Sequence, residues 1–458
     1  MDQVSGRHDF EVQRSSSTDS RVDTLNGPVL WRFAPDSWRE QWVSLFLSVG
    51  VVLRLIRFLL PFPLWFDEYQ LAENLLVRDF RELTQPLDNT QVAPVGFLWT
   101  VHASTLAFGF HEWSLRLFPC ICGIASLFLM RRIAARLLSG ASQVFAVGVL
   151  AVSYYPIRLG SEVKPYAGDL LCSLLLLGCL VEWRHDRSRS RWLWTLCGLI
   201  VPTLLLSFPA AFVGGATSLA VGALLIADWR TSGRVARRQV VAWLLYNMLL
   251  VGAFVAILAF NAASQHRATA DEMLRYWSDT FPPLADPLAL AVWLLKAHTS
   301  EIFALPVGSE NGGSILSALG CLVGALALWR TGPRWLIGWA AALFGLNFVA
   351  AALERYPYGG HARLAQHLAP VVSLFLAAGV GALVDAIGRV EWRAHATRLA
   401  CAGCLLLAVG TVARDVATPY KTESNQIHQG FDRWFWQSAG DIPIVCVEDD
   451  LGHVLYGT

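Results

Sequence analysis

Pro61-Phe-Pro-Leu-Trp-Phe-Asp-Glu-Tyr69 stands directly behind the first long apolar run of the chain, residues 41–60. A run of that length crosses a bilayer as a helix, because roughly 20 residues at about 1.5 Å each cover the hydrocarbon thickness. The adjacent carboxylates Asp67 and Glu68 are therefore placed at a membrane surface. Crowded acids perturb one another's pKa, which suits a general base with a neighbour that orients the substrate. Carboxylates also favour the first turn of a helix, and Tyr69 to Arg78 reads as one, so a purely structural role competes.

Outward from this stretch the apolar runs recur. The chain has 458 residues, 55% hydrophobic and 16% charged, with a mean hydropathy of +0.45. Soluble domains carry about 25% charged residues. The sequence predicts an all-α polytopic membrane protein with about eleven transmembrane helices. They fall at 41–60, 114–130, 140–157, 166–182, 192–208, 210–227, 240–261, 312–329, 335–353, 365–387 and 397–413. Two further apolar stretches, 92–109 and 287–305, are read as outer interfacial or re-entrant helices. A net charge of +1 gives no reason to expect a nucleic-acid partner.

The arginines set the sidedness. With 92–109 and 287–305 kept out of the count, one set of short loops collects the arginine clusters. These are Arg131, Arg132 and Arg136; Arg184, Arg187, Arg189 and Arg191; Arg230, Arg234, Arg237 and Arg238; Arg330 and Arg334; and Arg389, Arg393 and Arg398. Cytoplasmic loops carry such an excess. The N-terminus is therefore expected inside, with Asp67-Glu68, the loops 158–165, 262–311 and 354–364, and the C-terminus outside the cytoplasmic (inner) membrane. Residues 1–40 read as a disordered cytoplasmic tail, 41–413 as the membrane domain, and 414–458 as an outer tail, a truncated domain being one reading of it. Ile442–Val447 reads as a lone strand.

Other candidate residues fall on the same outer side. Gln91-Val-Ala-Pro94 opens an apolar helix, as a lid or as plain punctuation. Arg116 begins a span, either as an interfacial anchor or as a phosphate donor. Lys164-Pro-Tyr166-Ala-Gly-Asp169 is distinctive because lysine occurs only at 164, 296 and 421. Asp169 sits one turn into the membrane, where an ionisable group is costly and faces the bundle interior. Its structural reading is an ion pair with Lys164 or with Arg54 or Arg57 of the first span. Glu354-Arg355-Tyr-Pro-Tyr-Gly-Gly-His361-Ala-Arg363 offers two arginines to a phosphate, and Gly359-Gly360 lets the backbone approach a ligand. His361 and His367 read as structural. Loop 262–311, with Tyr276-Trp277 and the acids Asp271, Glu272 and Asp279, reads as an outer cover. Cys120-x-Cys122 and Cys401-x-x-Cys404 have metal or redox spacing, but no soft ligand clusters near them, and buried thiols are ordinary core residues.

In their order and shared sidedness these motifs resemble the GT-C superfamily of integral-membrane glycosyltransferases, in particular the branch of protein O-mannosyltransferases and lipid A aminoarabinose transferases. The resemblance runs through Asp67-Glu68 with Ala72 and Asn74, Ala93-Pro94, Glu112 to Leu117, Lys164-Pro-Tyr166 with Asp169, and the late loop with Arg355 and Arg363. It is good over 41–185 and thin from 190 to 350. It implies an inverting transfer from a polyprenyl-phosphate sugar to a lipid, glycan or protein acceptor outside the cytosol. Asp67 would be the base and Glu68 its partner. Lys164, Arg116, Arg355 and Arg363 would bind the phosphate, supported by Tyr166, Asp169, Gln91 and His361. The aminoarabinose transferases carry Lys-Pro-Pro where this chain has Val92-Ala-Pro94, so that lysine is missing. No metal ligands are assigned; a divalent metal is left open. The competing class is a transporter or flippase of lipid-linked sugars, which would more often show repeat symmetry and helices broken at midplane.

Overall fold

A computed structural model describes residues 38–60, 62–259, 274–307 and 313–418, with a few isolated positions beyond. Nearly all of the 1–40 segment, the 414–458 tail after 418, the strand reading of 442–447, and Asp271 and Glu272 lie outside the described residues. Within them every regular element is helical and no strand forms.

Helix α1, Trp38–Leu59, buries Val43, Phe46, Leu47, Gly50, Leu53, Arg54 and Arg57. That spacing of three and four puts one stripe against the bundle and leaves Leu45, Val52, Leu55 and Leu59 outside. The stripe packs on α4, Glu112–Leu137, and on α5, Gly140–Val152. Small residues permit it: a side chain at Gly148 would press on the Phe46 ring 3.1 Å away. Further long helices are α7, Tyr166–His185; α9, Ala210–Ser232; α10, Arg237–Ile257; α12, Gly313–Thr331; α13, Arg334–Ala352; α14, Ala369–Asp385, entered through the 3-10 turn Ala362–Leu368; and α15, Val390–Ala417. Nine helices among the described residues are long and apolar enough to span a membrane.

Two predicted spans differ from the expectation. The 140–157 stretch is bent by 52° between α5 and the short helix α6, Tyr154–Arg158. Ser153 bonds back to the Val149 carbonyl and Pro156 lacks an N–H, so the ladder breaks here. The freed amides of Tyr154 and Tyr155 donate to Pro306 and Leu305 from a distant loop. The 192–208 stretch is α8, Arg191–Leu206, only 16 residues long. The two ambiguous stretches are short helices, α3, Val95–Phe108, and α11, Pro287–Thr299, both below spanning length.

A second, smaller core lies at one end of the bundle. Leu71, Ala72 and Leu75 of α2, Phe66–Val77, pack with Leu83, Leu98 and Val101, and with Leu115 and Val163. This core fixes α2, and with it Asp67 and Glu68, against α3, the start of α4 and the 158–165 turn.

The tightest helix pair is α12 with α14. A Cβ at Gly324 would collide with the Phe375 carbonyl, and one at Gly379 with the Gly320 carbonyl. Gly320 and Gly324 form a Gly-x-x-x-Gly face that lets backbones touch in an apolar medium. Gly379→Val should therefore destabilise the protein by about 1–3 kcal/mol, read as a lowered Tm of the purified protein, whereas Gly403→Ala, in open space within α15, should keep or slightly raise Tm.

Candidate active site

Helix α2 starts where the Trp65 backbone is extended, and Glu68, at its third position, accepts a hydrogen bond from the Trp65 N–H at 3.3 Å. Successive helical residues are about 100° apart, so Asp67 and Glu68 enter different surroundings. Glu68 is 3% exposed. Its Oε1 accepts from the Val163 N–H at 2.7 Å and lies 3.7 Å from the Arg116 guanidinium. Arg116, also buried, donates to the Phe62 carbonyl at 2.6 Å and the Pro63 carbonyl at 3.3 Å. Glu68 and Arg116 thus clamp the stretch before α2 to the 158–165 turn. Burial holds the Glu68 carboxyl above the usual range, with Glu162 adding to the rise and Arg116 and the two amides opposing it.

Asp67 points the other way. Lys164 Nζ donates to its Oδ1 at 2.9 Å, and Arg363 Nη1 approaches Oδ2 at 3.4 Å. Gln91 binds both partners: its Oε1 accepts from Lys164 at 2.7 Å, and its Nε2 faces Asp67 at 3.4 Å and Gln70 at 3.0 Å. Burial works to raise the Asp67 carboxyl, but the Lys164 charge and hydrogen bond, then Arg363 and Gln91, outweigh it and hold the group below the usual carboxylate range. The Asp67 side chain remains 26% exposed, against 7% for Lys164 and 14% for Arg363, so the carboxylate is the accessible member. Asn74 fixes the loop that delivers Gln91 by exchanging hydrogen bonds with the Asp88 backbone.

The structure thus brings together Asp67, Gln91, Lys164 and Arg363 from four separate segments. Arg116 and Glu68 stand behind them, committed to backbone groups. Tyr166 opens α7 two residues beyond Lys164 and is partly buried. His361 accepts from the Arg363 N–H through Nδ1 and so shapes the turn that carries Arg363. Arg355 is exposed, with its backbone bound to the end of α13. Asp169 is buried, with Oδ1 lacking a hydrogen-bond partner.

The ion pairs considered for Asp169 are not formed. Lys164 is taken by Asp67. Arg57 pairs with Asp415 at the end of α15 and donates to Ser161 at 3.0 Å. Arg54 donates to the carbonyls of Gly50, Leu150 and Ala151. One feature of the site has no counterpart in the sequence analysis. Arg158 and Glu162 form a buried pair at 2.6 Å, four residues apart, a spacing that could have flagged it. Trp277, within the predicted cover, lies against the Arg363 guanidinium at 5.6 Å. The residues around Asp67 do not fit a divalent cation: the one accessible carboxylate is already paired with two cations. Among the described residues no group of three His, Cys, Asp or Glu could hold a metal, and the paired cysteines are free thiols.

This arrangement of helices has the fold of the GT-C membrane glycosyltransferases. The oligosaccharyltransferase of Archaeoglobus fulgidus, tethered with an acceptor peptide containing the NVT sequon, matches with a TM-score of 0.52 and 14% identity over 89% of this chain and 58% of its own. ArnT from Cupriavidus metallidurans, bound to undecaprenyl phosphate, matches with a TM-score of 0.50 and 14% identity over 87% and 72%. The chain thus spans 58% of the archaeal enzyme's length. Residues 92–260 match the family described as dolichyl-phosphate-mannose-protein mannosyltransferase. No curated protein matches in sequence.

The charge cluster makes a prediction about pH. Because the Asp67 pKa is depressed in the folded state, its contribution to stability is present above the unfolded value of about 3.9 and is lost as pH falls through the lower folded value. The Tm advantage of wild type over Lys164→Met should be largest near neutrality and shrink below about pH 4. A difference that is constant with pH would mean that Lys164 stabilises by packing rather than by charge.

Proposed function

We propose that the protein is a glycosyltransferase that moves a sugar from a polyprenyl-phosphate donor to a lipid, glycan or protein acceptor at the outer face of the cytoplasmic membrane. The observation that carries this reading is the Asp67 carboxylate, partly open and held by Lys164 and Arg363 at the end of the bundle. The fold shared with an undecaprenyl-phosphate-bound ArnT and an oligosaccharyltransferase supports the donor class. The arginine-rich loops at the other end support the sidedness.

The chemistry follows from the charges. A donor phosphodiester is an anion and competes with Asp67 for Lys164 and Arg363. As those cations turn to the phosphate, the carboxylate loses the partners that depress its pKa and becomes a better base. The acceptor oxygen or nitrogen attacks the anomeric carbon, Asp67 takes its proton, and the bond from that carbon to the phosphate oxygen breaks. Attack opposite the leaving group inverts the centre. The departing phosphate gains negative charge in the transition state, where preset cations have their largest effect. Glu68 and Arg116 fix the spacing between α2 and the 158–165 turn that presents Lys164. No metal step is needed, since Lys164 and Arg363 occupy that electrostatic role.

Transfer from radiolabelled polyprenyl-phosphate sugars by the purified protein tests the reading. Asp67→Asn should lower kcat by about 10²–10⁴-fold, the usual worth of a general base, while donor binding persists. Lys164→Met should lower kcat and kcat/KM together, on the order of 10²-fold, because it removes charge stabilisation that grows in the transition state. Movement of lipid-linked sugar across liposomes without any transfer would instead favour a transporter.

A further inference from the structure

The end of the bundle away from Asp67 holds a cavity of about 300 Å³ lined by Arg136, Glu182, His185, Asp186, Arg189 and Trp192. Helix α7 has 20 residues between Tyr166, beside the candidate site, and His185, at the cavity. The two are therefore about 30 Å apart. Nothing in the proposed transfer uses this second place.

Its charge is unbalanced. Arg132 and Arg136 share Glu182, at 2.7 and 3.3 Å, and Arg189 lies 2.6 Å from Asp186. Arg191 and Arg132 both approach the Trp192 ring, at 5.1 and 5.4 Å. Four guanidinium groups thus stand against two carboxylates. Arg136 Nη1 also lies 2.9 Å from His185 Nε2. Glu182 is buried, whereas Arg132 and Arg189 are 56% and 58% exposed and meet their carboxylates through Nε, a contact that does not use their terminal amino groups.

A second observation names the ligand's other half. On α4 the exposed residues Ile121 and Phe128 precede Arg132 by eleven and four positions, one face of a helix. Two exposed apolar side chains of a helix long enough to span a membrane therefore share a face with Arg132, which meets the cavity through Glu182 and Trp192. A soluble phosphate would need the arginines but not this apolar pair; a phospholipid needs both.

We propose that this cavity is a headgroup site for an anionic phospholipid. The phosphodiester would sit between the terminal amino groups of Arg132 and Arg189 at the Trp192 ring, with an acyl chain along Phe128 and Ile121. Arg136 and Glu182 are the internal pair that holds the site open. The assignment is independent of the transfer chemistry at Asp67, so either reading can fail alone.

The test measures lipid binding by the purified full chain in neutral-detergent micelles, with phosphatidylglycerol as the probe, by retained lipid in native mass spectrometry and by the shift in Tm. Arg132→Gln and Arg189→Gln should each weaken phosphatidylglycerol binding about fivefold, and the double variant by about 20- to 30-fold. Both side chains are more than half exposed and Arg136 still neutralises Glu182, so the unliganded Tm should stay close to wild type. Arg234→Gln with Arg238→Gln, exposed residues just before and in the first turn of α10, is the charge-matched control and should leave retained lipid unchanged. Inorganic phosphate is the second arm: if millimolar phosphate gives the same Arg132-dependent shift as the lipid, the site takes a phosphate but from solution, and the lipid assignment falls. Equal binding of phosphatidylcholine, or equal loss in the control variant, would overturn the site altogether.

Discussion

Charge neutralisation at the edge of a low-dielectric domain is the constraint on which the rest of this structure depends. An unpaired ion costs several kcal/mol or more once water is removed. Asp67, Lys164, Arg363, Glu68 and Arg116 are all wholly or largely buried within one end of the bundle. They can stay there only as a set, and the set forms only if α2, the 158–165 turn and the 362–368 turn arrive together. The small apolar core of Leu71, Leu83, Leu98 and Val163 delivers the first two. The third is carried by α14, whose backbone contact with α12 fixes its depth. Packing and electrostatics therefore specify the same geometry from opposite directions.

The same constraint explains the placement of the other intramembrane charges. Arg57 reaches across to Asp415, and so ties the first described helix to the last. Its Nε donates to Ser161, which precedes Lys164 by one turn. Arg54 finds no carboxylate and uses three backbone carbonyls instead, on α1 and at the end of α5, near the point where that helix breaks. Arg57 and Arg54 thus each mark a contact between elements distant in sequence.

Much of this was legible in the chain. Spans follow from run length, and Asp67, Gln91, Lys164 and Arg363 stood out as polar residues at the ends of apolar runs. What the sequence could not supply was pairing. Three arginines and a lysine were equivalent candidates for phosphate binding, yet Arg116 is turned to the Phe62 and Pro63 carbonyls, and Arg355 stays at the surface. Nothing in a residue's type distinguishes these fates, because they depend on which segment lies within reach of a side chain some tens of positions away. Asp169 illustrates the same limit: the partners expected for it, Lys164, Arg54 and Arg57, are all engaged elsewhere. The break at Ser153 was similarly hidden, since an apolar run of suitable length gives no sign that a distant loop will accept its amide hydrogens.

Adjacent acids with opposite surroundings are the strongest physical argument for dividing the work between them. On α2 the 100° step sends Asp67 toward two cations and solvent and Glu68 toward buried backbone amides. The first is held ionised and below its usual pKa by groups that an incoming anion can draw away. The second is pushed upward by burial, is inaccessible, and accepts from Val163 and Trp65, whose positions it fixes. Environments that drive two neighbouring carboxyls apart usually separate a chemical role from a structural one. On that ground the reaction proposed above gives proton transfer to Asp67 and leaves Glu68 a positioning role, through its bond to the Val163 amide beside Lys164. An interchange of the two side chains' roles would require Glu68 to leave a buried arginine and two amides unpaired, which the surrounding core gives it no room to do.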